Sequence, residues 1–196
     1  MDKQLPTYLL IIDDELSSDL QVDYVALVDS PAIEKNFLAF GKELKFAIDT
    51  KKHELFGAAM LADVPIYRRD AQLGEYNVVF DKETIYAIAQ KFFEKGFQQN
   101  FNLMHDSNQK CDGVFVFQSY IVDSEQGRPA PKGFEDAKDG SWFLGVKVNN
   151  PAVWAKVEDG SIKGFSVEGV FEYKKKPLSA EQVYAEIQRL LEDAHI

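Results

Sequence analysis

The segment "IKGFSVEG", residues 162–169, places a serine in an otherwise apolar run that is flanked by glycines. Together with the residues up to Tyr173, it predicts a β-strand whose side chains alternate between two faces. Ser166 and Glu168 share one face and are expected to point away from the core, towards solvent or a cleft. The side chains expected to face the core are those of Phe165, Val167, Gly169, Phe171 and Tyr173.

A serine mounted on a rigid strand is suited to nucleophilic catalysis, because fixed geometry supplies much of the rate enhancement. An ordinary outward-facing strand serine is the alternative, since a nucleophile also needs a base. His105 follows the apolar run "FNLM" and precedes a polar turn, and its imidazole could serve as that base. A surface histidine in a turn is the alternative for His105.

Other chemistries have less support. Cys111 is a rival nucleophile, but the neighbouring Asp112 would raise its pKa and lower its reactivity. The three histidines show no H-x-x-x-H pairing and there is no second cysteine, so neither a metal site nor a cofactor is predicted.

Composition limits the class of protein. The chain has 196 residues, of which 45% are hydrophobic, and this suits a globular domain with a real core. Its net charge of −10 argues against nucleic-acid binding, which needs clustered Lys and Arg. The apolar stretch from Tyr8 to Ile12 is too short for a membrane span, and a single cysteine excludes an intramolecular disulfide. An intracellular soluble protein with no membrane partner is expected.

The order of elements predicts an α+β fold. About eight strands, mostly adjacent in sequence, and two or three helices favour an antiparallel, barrel-like sheet flanked by helices. Residues 62–76 show no clear period and are expected to be a long loop, as are residues 123–141. A single structural domain is expected. It comprises N-terminal strands and an arm (1–44), a core (45–176) and a C-terminal helix (177–196) whose capping-box pattern starts at Ser179.

Several segments in a fixed order resemble the XkdF-like phage serine proteases. The segments are "YVALVDSPAIEKNFLAF" (24–40), "GAAMLADVPIYRRD" (57–70), "FNLMHD" (101–106), "SYIVD" (119–123), "GSWFLGVKV" (140–148) and "VWAKVEDGSIKGFSVEG" (153–169). The resemblance covers roughly residues 20–173. It implies a fold shared with the prohead proteases of tailed phages and with herpesvirus assemblin, a serine nucleophile at Ser166 and a histidine base at His105.

The third catalytic residue stays open at this stage. Asp106 adjoins the base, Asp123 ends the strand that follows it, and Glu168 shares the face of Ser166. Glu168 is placed slightly ahead of Asp123, and His53 is less favoured. Many relatives have Glu-Ser where this chain has Gln118-Ser119, and loss of that acid would weaken the expectation of activity if it orients the base.

The resemblance implies a prohead maturation endopeptidase. Its substrates would be the scaffold and the N-terminal extension of the major capsid protein, cleaved in the host cytoplasm inside the assembling prohead. A homodimer is plausible from the assemblin relatives, and no nucleic-acid partner is implied. The first alternative is an inactive relative that serves as a structural or scaffolding component of the capsid. An unrelated binding module would leave the ordered segments unexplained.

Overall fold

The computed structural model describes residues 5–12, 18–29 and 47–175, together with residues 183, 184, 187, 188 and 191, which are helical. The predicted arm or helix over 32–44 and the capping box at Ser179 lie outside the described residues. The strands are β1 (Thr7–Ile11), β2 (Gln21–Val28), β3 (Ala47–Asp49), β4 (Glu54–Met60), β5 (Ile66–Asp70), β6 (Gly74–Val79), β7 (Phe101–Leu103), β8 (Asp106–Lys110), β9 (Val114–Ile121), β10 (Trp142–Val148), β11 (Gly164–Val170) and β12 (Glu172–Lys175). The helices are α1 (Lys82–Glu94) and α2 (Pro151–Glu158), with a 3₁₀ turn at Phe97–Gln99.

The strands form three four-stranded sheets, with orders β12-β1-β6-β5, β3-β4-β10-β9 and β11-β2-β7-β8. We call the last of these the site sheet. The mixed α+β class is confirmed, but among the described strands no sheet closes into the predicted barrel. Most pairings are antiparallel, whereas β1 with β6 and β2 with β7 are parallel. Parallel pairing joins strands that are distant in sequence. The prediction rested on strands that are adjacent in the sequence, and their order did not indicate these parallel pairs.

The predicted loop over 62–76 is wrong. It contains β5 and the start of β6, which pair as an antiparallel hairpin from Ile66 opposite Val78 to Asp70 opposite Gly74. Only Ile66 of β5 is buried, so the strand lacks the apolar alternation by which a strand is recognised. The segment 123–141 does form a connection without a regular strand or helix, apart from a single bridge between Asp123 and Arg128.

The predicted single strand over 165–173 is two strands in different sheets. β11 pairs with β2, whereas β12 pairs with β1, and Phe171 separates them. The predicted alternation of side chains between two faces therefore holds only in the first half of the segment, before the register shift in β11. A register shift follows Glu168, and Tyr173, expected in the core, is 50% exposed.

The sequence from Asp81 to Gly96 predicts a helix from its N-cap, apolar stripe and terminal glycine, and helix α1 confirms it. The Asp81 side chain caps it by accepting from the Thr84 N–H, and Gly96 ends it in the left-handed conformation at φ 77°. The apolar stripe of the helix, including Ile85, Ile88 and Phe92, is fully buried. Phe92 meets Trp142 of β10 edge to face at 5.5 Å, which joins the helix to the core of a second sheet.

No helix in the described part of the chain is both long enough and apolar enough to cross a bilayer.

Candidate active site

Ser166 lies at the start of one row of residues that crosses the site sheet. It pairs with Ala26 of β2, and Ala26 pairs with Asn102 of β7, so the three residues are lateral neighbours. Ser166 is 7% exposed, Asn102 is 1% exposed and Ala26 is fully buried. The serine was expected to face solvent or a cleft; most of its surface is buried, and the part that is not buried lines a cavity. Strand alternation distinguishes the two faces of a sheet but does not say how deeply either is covered.

His105 lies in the tight turn of the hairpin formed by β7 and β8. Leu103 and Asp106 pair across this turn, and the two residues between them have positive φ angles, 52° at Met104 and 60° at His105. Two successive left-handed residues match a type I′ turn, which normally takes Asn and Gly. The Met104 N–H donates to the Leu27 carbonyl at 3.1 Å and so ties the turn to β2. The hairpin thus holds the histidine beside the site sheet in a conformation unusual for its side chain.

The structure brings His105 and Glu168 together. His105 Nδ1 lies 3.1 Å from Glu168 Oε1, and the two side chains are 43% and 29% exposed. A hydrogen on Nδ1 that is donated to this carboxylate leaves Nε2 with the lone pair, and a lone pair is what a general base needs. Glu168 therefore fits the acid that fixes the tautomer and orientation of the imidazole.

Ser166 and Glu168 lie two residues apart on β11. The register between them is unbroken, so they share a face and are about 7 Å apart along the strand. Among the described residues, no hydrogen bond links the Ser166 hydroxyl to His105. Catalytic hydrogen bonds are often long in the absence of substrate, so this arrangement is compatible with a nucleophile and its base.

The other two candidate acids are engaged elsewhere. Asp123 forms an ion pair with Arg128 at 2.8 Å and accepts from the Gln126 N–H. Asp106 accepts hydrogen bonds within its own hairpin, and those from Gln109 and then Asn108 lower its pKa. Neither carboxylate contacts His105 in the part of the chain that the structure describes.

Cys111, the rival nucleophile, is buried, and His53 packs against an aromatic ring. Cys111 is 2% exposed, and burial, with a smaller contribution from Asp112, raises the pKa of its thiol to about 11. Such a thiol is protonated at neutral pH and is a poor nucleophile. The His53 ring stacks on Trp154 with the ring centroids 4.3 Å apart.

Gln118 belongs to a different sheet. It lies on β9 opposite Gly145, whereas Ser166, His105 and Glu168 belong to the site sheet and its hairpin. The carboxylate that meets the histidine here is that of Glu168. The amide at position 118 therefore does not leave His105 without an acidic partner.

Two neighbours of the site were missed in the sequence. Asn102 donates from Nδ2 to Glu168 Oε1, and its only sequence signal was a polar residue inside the apolar run "FNLM". Asp23 lies on β2, and its pKa is raised by burial first and by the charge of Glu168 second. Both depend on the alignment of β2 against β7 and β11, which no local pattern specifies.

A cavity of about 240 Å³ runs beside β11. Consecutive residues of β11, including Phe165, Ser166 and Val167, line it, so the cavity follows the strand's edge rather than one face. Across it lie Ala59 and Met60 from the end of β4. The remaining lining residues are Leu10, Leu61, Ile66, Arg68, Phe80, Gly169, Phe171 and Tyr173. Among the described strands β11 pairs only with β2, so this edge could receive an extended peptide.

The described residues contain no cluster of three or more His, Cys, Asp or Glu side chains placed to hold a metal ion.

A serine, a histidine and a carboxylate carried by one sheet and its hairpin form the set of side chains that serine hydrolases use. Comparison with protein families agrees with this class. The family described as "Putative phage serine protease XkdF" matches residues 61–174, and the chain belongs to that family. The match includes His105, Ser166 and Glu168. No curated protein and no solved structure matches the chain.

Proposed function

We propose that the protein is a serine endopeptidase with Ser166 as nucleophile, His105 as general base and Glu168 as the acid that orients the base. The observation that carries the proposal is the 3.1 Å contact between His105 Nδ1 and Glu168, on the strand that also bears Ser166. Membership of a family of phage serine proteases supports the same reaction class. Asp123, another acid considered, is occupied by Arg128 and has no role in the proposed chemistry.

In the proposed reaction, His105 Nε2 accepts the hydroxyl proton of Ser166 as the oxygen attacks a peptide carbonyl. The imidazolium then donates that proton to the departing amine, which leaves an ester on Ser166. Water, deprotonated by the same imidazole, attacks the ester, and the imidazolium returns the proton to the departing Ser166 oxygen as the acid product is released. Glu168 stabilises the imidazolium in both steps through Nδ1. The oxyanion requires positioned N–H donors, for which backbone amides are the usual source.

The biological role that we propose is maturation of a phage prohead. The substrates would be the scaffold and the N-terminal extension of the major capsid protein, and cleavage would take place inside the assembling shell in the host cytoplasm. A homodimer is part of this proposal, by analogy with assemblin. The edge of β11, with which no other described strand pairs, and the adjoining cavity are consistent with a substrate that binds as an extended strand.

The test is covalent labelling of the full chain by a fluorophosphonate, which reacts only with activated serines. We expect one label on the wild type, located at Ser166 by peptide mass spectrometry, and none on Ser166→Ala. Ser161→Ala, in the exposed turn before β11, is the matched control and should label normally. Labelling of Ser166→Ala at the wild-type level would show that Ser166 is not the nucleophile.

The second candidate is an inactive relative that acts as a structural component of the capsid. Ser166 is buried and makes no hydrogen bond to His105 among the described residues, which favours this alternative. A wild-type protein that takes no label and cleaves no co-expressed capsid protein, but is incorporated into the shell, would establish the structural role.

A further inference from the structure

We propose that Asn102 is a positioning residue that holds Glu168 in the orientation needed to pair with His105. This inference rests on the proposed function. Glu168 Oε1 accepts from two donors, His105 Nδ1 at 3.1 Å and Asn102 Nδ2. One carboxylate oxygen is thus fixed between an amide on β7 and an imidazole in the turn that follows β7. The carboxylate cannot rotate towards solvent without breaking both contacts.

The amide of Asn102 is held in one orientation. Its Oδ1 is buried and has no hydrogen-bond partner among the described residues. Rotation of the amide by 180° would place Oδ1 against the Glu168 carboxylate, where two acceptors would repel each other. The unpartnered acceptor is therefore the consequence of directing the N–H at Glu168. A buried asparagine retained only for packing would have no reason to leave its oxygen unsatisfied.

The position of Asn102 in the sheet explains how its side chain reaches Glu168. Asn102 lies in the same lateral row as Ser166, with Ala26 between them. Because Glu168 is two residues along from Ser166 on the same face, Asn102 reaches it diagonally across β2. The small side chain of Ala26 leaves room for this contact. This row therefore links β11, which bears the proposed nucleophile, to β7, which leads into the turn that contains His105.

The experiment combines a kinetic readout with a spectroscopic one. In Asn102→Ala, we expect the rate of Ser166 labelling by a fluorophosphonate to fall roughly ten- to a hundredfold, the scale of a small misplacement of a catalytic group. For a cleaved peptide, kcat should fall while KM stays within twofold, because Asn102 does not touch the cavity. In ¹⁵N spectra of neutral His105, the fraction protonated at Nδ1 should fall. Asn102→Asp should show the same changes more strongly, because a second carboxylate then faces Glu168.

Asn100→Ala is the matched control. Asn100 is partly buried on the segment just before β7, and its Nδ2 donates at 2.9 Å to the Asp23 carbonyl rather than to Glu168. Its removal should leave the labelling rate and the His105 tautomer unchanged. If folded Asn102→Ala and Asn102→Asp both keep the wild-type tautomer and rate, the positioning role is wrong. A changed tautomer in a protein whose Ser166 never labels would reject the proposed hydrolase while keeping the Asn102–Glu168–His105 unit.

Discussion

Glu168 and His105 form an ion pair or hydrogen bond that contributes little to stability. With 29% and 43% of the two side chains exposed, solvent screens the interaction, and such pairs are typically worth no more than about 1 kcal/mol. The same contact can have a large effect on a rate, because it selects which imidazole nitrogen holds the lone pair. A role in orientation, rather than stability, is therefore the one that the geometry favours for Glu168.

Glu168→Gln separates these two roles. We expect the activity on a peptide substrate to fall by roughly 10²- to 10⁴-fold, the usual contribution of a well-oriented acid–base group. The free energy of unfolding should change by no more than about 1 kcal/mol, measured by urea titration. Asp123→Asn removes another of the acids considered and should keep wild-type activity, although it loses the ion pair with Arg128. If Asp123→Asn loses the activity and Glu168→Gln keeps it, then Asp123, and not Glu168, is the acid that orients His105.

Asp23 predicts a pH dependence of stability. Its pKa is raised above 3.8 by burial and by Glu168, so the folded state binds a proton more tightly than the unfolded state does. Asp23 therefore costs no stability while it is protonated below pH 3.8, and it destabilises progressively as pH rises from there through its folded pKa.

Asp23→Asn should remove this dependence. We expect the variant to exceed the wild type in melting temperature at pH 7 and to lose that advantage towards pH 3.5. Calorimetry across this range measures it. An advantage that is constant with pH, or a less stable variant at pH 7, would contradict the assignment of the raised pKa to Asp23.

At the scale of single elements, the hairpin turn carries strain. Met104 and His105 both have positive φ, which costs an ordinary L-residue roughly 1–2 kcal/mol. His105 is needed for the proposed chemistry, but Met104 is 41% exposed, and its side chain contacts the Asp29 N–H through the sulfur at 3.4 Å. The strain at position 104 is therefore separable from the function of position 105.

Met104→Asn should stabilise the protein. Asparagine tolerates the left-handed region, so we expect a gain of about 1 kcal/mol in the free energy of unfolding and unchanged fluorophosphonate labelling. The substitution Met104→Val, with a β-branched side chain, should lose stability. Equal stability of the Asn and Val variants in urea titrations would show that the turn does not impose left-handed geometry on this residue in solution.

The contrast between α1 and the site sheet shows what the sequence could predict. Helix α1 follows from local features, namely an N-cap at Asp81, an apolar stripe and Gly96, all within the single segment 81–96. Placing Glu168 on the face of Ser166 also needed only strand alternation. The contacts with His105 and Asn102 could not be predicted from local pattern, because they depend on β7 pairing in parallel with β2, about 75 residues earlier in the chain. The local pattern made His105 a candidate base and the family resemblance strengthened that prediction, but neither supplied Asn102.

At the scale of the whole molecule, all three sheets meet at the cavity beside β11. Leu10 and Arg68 belong to one sheet, Ala59 and Met60 to a second, and Phe165 to the site sheet. No single strand or hairpin therefore builds the surface that we expect a substrate to contact. Because most side chains of the wall opposite β11 are apolar, with Arg68 and Tyr173 as the exceptions, we expect the cavity to receive an apolar side chain of the bound peptide.

Filling the cavity should separate peptide hydrolysis from nucleophile reactivity. Ala59→Leu adds three carbon atoms to the wall opposite β11, and we expect kcat/KM for a peptide to fall about tenfold or more. A small fluorophosphonate fills less of the cavity that Ser166 lines, so its reaction with Ser166 should slow much less than peptide hydrolysis does. Ala59 is 2% exposed, so overpacking could cost roughly 1–3 kcal/mol, and calorimetry monitors it.

Arg68→Ala is the second variant, because its side chain is exposed and its truncation leaves the core intact. It should change the ranking of peptides with acidic and neutral residues beside the scissile bond. If both variants hydrolyse every peptide at the wild-type rate, substrates bind elsewhere than the junction of the three sheets. If Ala59→Leu instead slows labelling and hydrolysis equally, the cavity supports the geometry of β11 rather than the substrate.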